Sequence, residues 1–503
     1  MNEPRTWLPD PSHYPEQMTP LSASVWFAAL GRGLHEAMRE LRGPFGGFLT
    51  RVEFGWAYEG ELQPEWETEP ERIREAALAL PKRWERELRP RVRAITAELE
   101  LMRPELPPPG EAAAMLDRLR ELVREQWTIH FLVVIPAQIA AEILNERWVE
   151  LHGDTDPLAA YRLLEGVENA PDAAVRRLAE SAAELGVDDL VRELAPEHAL
   201  SRLRTCAPGR RWLHELDAYL LDFGGRSRWH ELSLAREAER PTMTLEAVRL
   251  LLERGSFAPP PTERPPVPAE LAELYERVRA AYALKELHTY DIDYPGLLGT
   301  REALLGFGRR LVAEGLLDAT DDVWMLDADE LRDAVLDDGL ELGSLVARGR
   351  ADLAEGLRQG PKPYLGEPPA TTERHEALEK FYGSGGGALA GAGASPGVAE
   401  GTARVVAGID DFGRVRAGDV LVTTTTTPAW TPLFPSLAAL VTETGGILSH
   451  AAVVAREYRI PAVVGAPGAT STIPDGARLR VDGTNGRVAI LDGARSKDEE
   501  PDS

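Results

Sequence analysis

One histidine of this chain stands in a setting suited to covalent chemistry on its ring. His450 directly follows Ser449 and comes shortly after the glycine pair Gly445-Gly446, at the start of an apolar run. Glycine allows positive φ angles and close backbone approach, and serine is a favoured N-cap. His450 is therefore predicted to begin a helix, where free N–H groups and the helix dipole favour an anion. A nucleophilic histidine there could hold a phosphoryl group covalently.

The residues around His450 have supporting chemistry. Ser449 and the N–H groups that follow it would steady a bound phosphate, and the small Ala451 leaves the approach to the ring open. Thr444 could donate a hydrogen bond nearby, although a threonine in such a turn more often has a structural role. Arg456 lies six residues after His450 and so not on the same face of a regular helix. We expect Arg456 at the domain surface, in docking, and not as a phosphate clamp.

The composition narrows the class of protein. The 503 residues are enough for roughly two to four domains, and the hydrophobic share of 43% indicates a globular chain. The net charge of −26 argues against nucleic acid as the main partner, because phosphate backbones attract an excess of Lys and Arg. The single cysteine, Cys206, excludes an internal disulfide, as is typical of a reducing cytoplasm.

No segment of the sequence predicts export or membrane insertion. The first ten residues lack the basic start and apolar run of a secretory signal. The most apolar segment, residues 129–144, is interrupted by Pro136, Gln138 and Glu142, and we expect it to be too short and too polar to span a bilayer. A cytoplasmic protein without a membrane partner is predicted.

The elements that must position His450 follow a change in sequence texture near residue 390. Before it, apolar residues recur at helical spacing and strand-like alternation is scarce, which predicts helices over residues 111–127, 174–185, 245–252, 271–284 and 301–317. The proline-rich residues 256–268 predict a stiff connector, whereas the glycine-rich residues 383–393 predict a flexible tether. We place the main domain boundary at this tether, and we expect residues 494–503 to be a disordered acidic tail.

Beyond the tether, the sequence predicts an α/β domain over residues 394–493. Runs of β-branched residues indicate strands at residues 402–406, 419–426 and 478–481. Two short apolar runs, residues 438–441 and 462–464, fit buried strands. The helix that begins at His450 is expected to end near Tyr458, ahead of Pro461.

The C-terminal part resembles the mobile phosphohistidine domain of PEP-utilising enzymes. The resemblance rests on five ordered segments, of which the most specific is Thr442-Glu-Thr-Gly-Gly-Ile-Leu-Ser-His450; the others are residues 394–404, 418–423, 460–465 and 481–486. That family includes pyruvate phosphate dikinase, PEP synthase, phenylphosphate synthase and rifampin phosphotransferase. The resemblance implies a swivelling β/β/α domain that carries a phosphoryl group on His450 and travels on the tether between a charging and a discharging site.

The helical part resembles rifampin phosphotransferase, so that the resemblance extends over nearly the whole chain. The similar segments are residues 20–24, 222–231, 283–288, 308–318 and 321–326, with residues 427–434 in the C-terminal part. This resemblance implies that residues 1–382 form a mostly α-helical acceptor-binding domain.

The resemblance also implies candidate acceptor-binding residues. An acceptor hydroxyl needs a base or polar group, and its incoming phosphate needs cations. The family's Arg-Glu pair corresponds to Lys285-Glu286, where lysine keeps the charge but loses the bidentate fork. His288 could act as a base or orient the acceptor, or it could be a surface histidine of the helix. Arg226 and Glu231 match a further family pattern, either as a buried structural ion pair or as a catalytic one.

Neither a metal site nor a nucleotide site is predicted in this chain. The sequence contains no Cys-x-x-Cys, no His-x-x-x-His and no EF-hand loop, and His130 in the apolar segment 129–144 is interpreted as a satisfied core histidine. Residues 43–47 are too short for a phosphate loop and lack a nearby lysine, so they are interpreted as a turn that ends a helix. We therefore expect no cofactor on this chain.

The expected reaction needs a partner. The resemblance implies an ATP-grasp domain that phosphorylates the histidine, and we expect this chain to contain neither that domain nor the PEP-binding barrel of the dikinases. We expect ATP and Mg²⁺ on a separate ATP-grasp subunit, as in the split phenylphosphate synthase. His450 would then pass the phosphoryl group to a hydroxyl of a small-molecule acceptor, antibiotic-like or another metabolite.

A second hypothesis belongs to a different class. The helical domain could bind and sequester a hydrophobic ligand, with His450 in a vestigial phosphohistidine domain. An ATP-grasp protein encoded in the same operon would favour the enzyme hypothesis over sequestration.

Overall fold

The chain divides into two compact units. The computed structural model describes residues 3–11, 13–102, 107–153, 160–164, 170–227, 229–255, 266–337, 340–369, 389–426, 428–447 and 449–491. The first unit, called the helical unit, comprises Met1–Asn169, Leu220–Arg240 and Glu263–Thr372. The second, called the sheet unit, comprises Ala170–Tyr219, Pro241–Thr262 and Glu373–Ser503. The acidic tail 494–503 and most of the predicted connector and tether lie outside the described residues.

Several helices of the helical unit follow one another through short π-helical turns. The α-helices are Pro20–Ser22, Ala28–Leu41, Pro70–Arg83, Arg89–Leu101, Pro109–His152, Tyr161–Leu164, Ala272–His288, Tyr294–Ala313, Ala328–Leu336 and Leu342–Gln359. The π-helical turns are Ala23–Phe27, Trp84–Leu88 and Thr289–Asp293, and 3₁₀ turns occupy Ala269–Leu271 and Thr320–Met325. The predicted helices at residues 111–127, 271–284 and 301–317 fall within or largely overlap these helices, which confirms the helix-rich expectation.

The Pro109–His152 helix passes through the core of the helical unit. Its apolar residues Leu116, Leu119 and Val123 recur at helical spacing and are buried. By length and composition alone this helix could cross a membrane, but 67% of its most apolar window is buried inside the protein. The expectation that this apolar segment is too short to span a bilayer was therefore wrong about the length of the helix. The helix continues well beyond residues 129–144, and protein covers most of its apolar window.

A four-stranded antiparallel sheet lies in the helical unit, although strands were expected to be scarce there. The strands are β1 (Thr6–Pro9), β2 (Phe48–Glu53), β3 (Trp56–Glu61) and β4 (Leu365–Gly366), in the order β2-β3-β1-β4. The two-residue turn between β2 and β3 places Phe54 and Gly55 at positive φ, 50° and 83°. Phenylalanine is an unusual residue at a turn position with positive φ. The pairing of β1 with β4 joins residues near opposite ends of the unit in sequence.

The sheet unit is built around a seven-stranded mixed sheet. Its strands are β5 (Ala392–Ser395), β6 (Val398–Val405), β7 (Val420–Thr423), β8 (Ala439–Thr442), β9 (Ala462–Val464), β10 (Arg478–Asp482) and β11 (Arg487–Ile490). Their order is β11-β10-β6-β7-β8-β9-β5, and β6 to β9 are parallel neighbours. All five predicted strands are present. The helices of the unit are Ala170–Glu184, Asp188–Glu193, Pro196–Thr205, most of Ala207–Phe223, Thr242–Arg254, His450–Glu457 and Ala469–Thr472, with 3₁₀ turns Ile409–Arg414 and Pro428–Ser436.

The central strands are apolar throughout because both faces of the sheet are covered. In β7, Leu421 packs on the face that also holds the His450–Glu457 helix, while Val420 and Val422 pack on the opposite face. β8 repeats this alternation, with Leu440 on the helix face. Side chains alternate along a strand, so a continuous apolar run is the expected sequence of a parallel strand buried on two sides.

The Thr242–Arg254 helix belongs to the sheet unit, although it precedes the predicted domain boundary. Met243 and Leu250 are members of the same buried cluster as Phe412 and Leu433. Arg254 also donates a hydrogen bond of 2.6 Å to the carbonyl of Pro435. The compact units therefore do not follow the order of the chain.

The described end of the predicted tether is part of the sheet. Residues 383–388 lie outside the described residues, but Gly391 and Gly393 lie in or beside β5. A Cβ on Gly391 would lie 2.3 Å from the carbonyl oxygen of Val464, and one on Gly393 would lie 2.7 Å from that of Gly483. These two glycines therefore allow the backbone of β5 to pack closely against neighbouring strands and loops. The glycine-rich sequence predicted a flexible tether at these positions.

Candidate functional site

The loop that carries His450 leaves the sheet at the carboxyl ends of parallel strands. Thr423 at the end of β7 and Thr442 at the end of β8 are paired in register. The loop continues this pairing, because the N–H of Glu443 donates to the carbonyl of Thr423 and that of Thr444 to the carbonyl of Thr424, both at 3.0 Å. The carboxyl edge of a parallel sheet is a common place for ligand sites, and here it fixes the start of the loop.

Thr444 has a structural role in the geometry of this loop. Its hydroxyl donates to the carbonyl of Thr424 at 3.0 Å, and its own carbonyl accepts from the hydroxyl of Thr442 at 2.8 Å. The first bond joins the loop after β8 to the residue that follows β7, and the second stabilises the turn at the end of β8. Of the two roles considered for Thr444, phosphate contact or structure, the contacts favour structure.

Gly445 has a conformation that requires glycine. Its φ is +101°, and a Cβ at this position would lie 2.8 Å from the Oγ of Ser449 and 2.9 Å from its Cβ. The next residue, Gly446, is buried, and its carbonyl accepts from the N–H of Ser449 at 3.0 Å. The glycine pair thus folds the loop back onto the N-cap, so that the helix can begin directly beside the strand ends.

The helix begins at His450, as predicted. Ser449 is the N-cap with extended backbone (φ −63°, ψ 160°), and its Oγ accepts from the N–H of Ala452 at 3.4 Å. The helix runs from His450 to Glu457. His450 is therefore in the first turn, at the positive end of the helix dipole, where an attached phosphoryl group would be stabilised.

The ring of His450 lies against the Pro428–Ser436 turn. Its Nε2 is 3.4 Å from the Oγ1 of Thr431, which is buried, and its ring centroid is 6.4 Å from that of Phe434. Residues 427–434 contribute to the resemblance to rifampin phosphotransferase, but the sequence does not indicate a role for Thr431. A lone threonine between apolar residues carries no local signal of this contact, which depends on the fold.

Arg456 is buried beneath the loop, so the expectation of a surface or docking residue was wrong. Only 3% of its surface is exposed, and its Nη1 donates to the carbonyls of Ile447 at 2.8 Å and Ala394 at 3.0 Å. The helix packs against β5, and Arg456 lies on the face of the helix that this contact buries. Arg456 therefore stabilises the loop by its hydrogen bond to the carbonyl of Ile447.

In the helical unit, the structure brings two of the resembling segments together at Glu231. The carboxylate is buried and accepts from the hydroxyls of Thr19 at 2.7 Å and Ser22 at 2.5 Å and from the N–H of Ser233 at 3.1 Å. Burial raises the pKa of Glu231, and these donors offset part of the rise. Arg226 is also fully buried. The contacts of Glu231 are those of a positioned buried group.

Lys285 and His288 lie on the last turn of the Ala272–His288 helix. Lys285 is buried, with its Nζ over the ring of Tyr282 at 5.4 Å from the centroid. His288 is partly buried, and its Nδ1 donates to the carbonyl of Lys285. The interpretation of His288 as an ordinary surface histidine is therefore wrong. The side chain of Glu286 lies outside the described residues.

His288 belongs to a cluster with His130 and Asp293. The Nδ1 of His130 lies 2.8 Å from Oδ1 of Asp293, and the Nε2 of His288 lies 3.5 Å from Oδ2. The two imidazole rings meet edge to face with centroids 4.7 Å apart. One ligand atom from each of the three residues lies within 4.8 Å of the others. These are the described residues that could hold a metal ion, which the sequence did not predict.

The electrostatics of this cluster keep its carboxylate charged. Burial lowers the pKa of His288 to about 4. Burial also lowers the pKa of His230, a further histidine that acts on Asp293, to about 4. Burial alone would raise the pKa of Asp293, but the facing His130 and His288 hold it below its usual value. Burial and the nearby carboxylates, Glu231 and Asp293 among them, raise the pKa of Tyr14.

Asp293 escaped sequence reasoning because its position depends on a π-helical turn. The Thr289–Asp293 turn follows the Ala272–His288 helix directly and changes the face on which Asp293 lies. Such π-helical insertions are frequent at functional sites, but no residue type announces them. The sequence predicts a satisfied core histidine at position 130 but does not identify Asp293 as its partner.

Two family models match this chain. Residues 415–486 match the mobile domain of PEP-utilising enzymes, and they include the whole His450 loop and helix. Residues 130–289 match the fourth domain of rifampicin phosphotransferase. His130, Arg226, Glu231, Lys285 and His288 all fall within this second match. The resemblance inferred from the sequence is thereby confirmed for both parts of the chain.

Curated relatives extend the similarity. A rifampicin phosphotransferase of Streptomyces sviceus is 39% identical over 44% of this chain and 25% of its own length. The uncharacterized phosphotransferase YvkC of Bacillus subtilis strain 168 is 28% identical over 76% of this chain and 49% of its own length. The chondramide synthase cmdD of Chondromyces crocatus is 29% identical over 96% of this chain and 14% of its own length. The chain thus spans about half or less of the length of these relatives.

Proposed function

We propose that this chain, which carries the mobile domain of PEP-utilising enzymes and a segment matching the fourth domain of rifampicin phosphotransferase, is the phosphoryl-carrying component of a phosphotransferase. The observation that carries the proposal is the position of His450. It is the first residue of a helix at the carboxyl edge of parallel strands, within the segment that matches the mobile domain.

In the first step, the ring of His450 attacks a phosphoryl donor. An N–P bond forms at the imidazole while the P–O bond to the donor breaks, and the donor leaves with the electron pair of that bond. Phosphoryl transfer depends mainly on positioning and charge stabilisation. Gly445, Ser449 and Arg456 position the loop, and the N-terminus of the helix stabilises the negative charge on the new group.

In the second step, the phosphoryl group moves to a hydroxyl of a small-molecule acceptor. The N–P bond breaks, an O–P bond forms, and the hydroxyl proton passes to a base. We assign the acceptor to the helical unit, because the candidate residues Arg226, Glu231, Lys285 and His288 are buried or partly buried there, within the match to the fourth domain. By the same similarity, the acceptor is antibiotic-like or another hydroxylated metabolite.

The donor is ATP with Mg²⁺, held by a separate ATP-grasp subunit. This part of the proposal follows from the resemblance to enzymes in which an ATP-grasp domain charges the histidine. With a dikinase-type reaction, the ring of His450 would displace AMP from the β-phosphorus of ATP, and a water molecule would accept the γ-phosphoryl group. The β-phosphoryl group would then remain on His450, and AMP and free phosphate would be released.

The test uses ATP labelled at the β-phosphate. The purified chain is incubated with it, alone and with host lysate, beside His450→Ala and the control His198→Ala, which removes an exposed histidine of the same unit. We expect acid-labile, alkali-stable label on the wild type and on His198→Ala only when lysate is present. The label should then leave the chain when a competent acceptor is added.

Other outcomes separate the alternatives. Label on the chain without lysate would contradict the need for an ATP-grasp partner. A folded wild type that takes no label under either condition would overturn the carrier function, and binding of a hydrophobic ligand by the helical unit would then be the better account.

A further inference from the structure

The cluster of His130, His288 and Asp293 has the composition and geometry of a metal site. The three residues come from the Pro109–His152 helix, the end of the Ala272–His288 helix and the π-helical turn that follows it. One ligand atom from each lies within 4.8 Å of the other two. Regular elements hold side chains more accurately than loops do, so this convergence is a property of the folded unit.

The hydrogen bond of His288 fixes which nitrogen carries the proton. Its Nδ1 contacts the carbonyl oxygen of Lys285, and since a carbonyl only accepts, Nδ1 must be the protonated nitrogen. In the neutral ring, Nε2 then presents a lone pair, and it lies 3.5 Å from Oδ2 of Asp293. Two acceptors that face each other repel unless a proton or a cation lies between them. The hydroxyl of Thr289, at 3.4 Å from Nε2, is too distant for a strong hydrogen bond.

We propose that His130, His288 and Asp293 bind a divalent transition-metal ion, such as Zn²⁺. Two imidazoles and one carboxylate form a donor set that suits zinc and its neighbours in the first transition row. Three protein ligands leave at least one coordination position for water or for another oxygen ligand. This inference goes beyond the proposed phosphotransfer and does not depend on it.

The surroundings of the cluster favour such an ion. The carbonyl of Lys285 holds His288 in one tautomer, as the outer partner of a metal-bound histidine usually does. The ring centroids of Trp127 and Phe131 each lie 4.8 Å from that of His130, and apolar groups beside a ligand limit the access of solvent to it. Lys285 carries a positive charge that would repel a bound cation, and its ammonium group lies over the ring of Tyr282.

The experiment measures binding of Zn²⁺ and Co²⁺ to the full chain without a histidine tag, after removal of metal with a chelator. Calorimetric titration with Zn²⁺ gives stoichiometry and affinity, and the visible absorption of Co²⁺ reports coordination by protein ligands. The variants are His288→Ala and Asp293→Asn, which keeps the shape of the side chain. The control is His152→Ala, because His152 is an exposed histidine of the same helix as His130. Thermal melts in chelator check that each variant folds.

We expect one ion per wild-type chain, and at least about tenfold weaker binding in both cluster variants. His152→Ala and His450→Ala should bind the ion as the wild type does, so that loss of phosphotransfer and loss of metal are distinguished. Binding far below one equivalent, or equal affinity in wild type and both folded cluster variants, would overturn the proposal. The cluster would then be a hydrogen-bonded set of two histidines around Asp293.

Discussion

Arg456 donates a hydrogen bond of 2.8 Å to the carbonyl of Ile447, and so joins the last turn of the helix that begins at His450 to the loop that precedes it. Its second bond, to the carbonyl of Ala394, joins the same turn to β5. A single buried cation thus connects the helix, the loop and the edge of the sheet. The position of the histidine depends on this connection as much as on the residues beside it.

Replacing Arg456 by methionine should loosen the loop. Two buried carbonyls would lose their donor, which costs about 2 kcal/mol of unfolding free energy, and phosphorylation of His450 should slow because the loop is no longer fixed. Urea denaturation and the rate of label incorporation measure the two effects. The control is Arg480→Met, which also removes one positive charge but at an exposed position in β10. Equal behaviour of the two variants would contradict a supporting role for Arg456.

Gly445→Ala should distort the His450 loop for two reasons, backbone strain and a steric clash, which can be tested separately. The φ of +101° disfavours any side chain, and the new Cβ would collide with Ser449. We expect a loss of about 1–3 kcal/mol in stability and a strong loss of phosphorylation. Gly476→Ala tests the backbone strain alone, because Gly476 has φ +83° and a Cβ added there would have no atom within 4 Å. A Gly445→Ala protein that is charged as fast as Gly476→Ala would show that the collision is relieved without consequence.

Thr431→Val tests the contact with the reactive ring. Valine preserves the shape of threonine but removes the hydroxyl that lies 3.4 Å from Nε2 of His450. Loss of one hydrogen-bonding group of this kind corresponds to a roughly tenfold slower charging of the histidine. The rate of label incorporation measures the effect, and Thr472→Val, at an exposed position of the same unit, provides the comparison. An unchanged rate in Thr431→Val would exclude a role for the hydroxyl in orienting the ring.

The sheet unit could be predicted further than the helical unit, for physical reasons. The strands β7, β8 and β9 have local signals, because β-branched and apolar runs suit a sheet covered on both faces. The Ser449 cap is likewise local. The small sheet of the helical unit is not, since Thr6 pairs with Gly366, and no short window of sequence contains both.

The candidate sites show the same division. The sequence singled out His450 and its loop, which lie together in the chain. It missed Asp293 as the partner of His130, because the two are brought together by helix packing and a π-helical turn. It also misplaced Arg456, whose burial depends on the neighbouring strand β5.

Glu231 should make stability depend on pH in a defined direction. Its folded pKa is raised by burial above the unfolded value, so its contribution to stability is greatest below the unfolded pKa and declines as pH rises through the folded pKa. Glu231→Gln keeps an oxygen that can accept from Thr19 and Ser22 but cannot ionise. We therefore expect the stability of the variant, relative to the wild type, to increase as the pH rises above the unfolded pKa of a glutamate, about 4.

Urea denaturation at several pH values measures this difference. Glu100→Gln removes a carboxylate at an exposed position and serves as the control. If the two variants follow the wild type equally across the range, the buried carboxylate of Glu231 does not carry the expected penalty.

The most direct test of the account is to locate the phosphoryl group by mass spectrometry under neutral to alkaline conditions, after incubation of the chain with ATP and host lysate. The account predicts one phosphoryl group on the peptide that contains His450, lost after brief acid treatment, present in His198→Ala and absent in His450→Ala. An acid-stable modification at another residue, the same modification in His450→Ala, or a folded wild type that remains unmodified would contradict it.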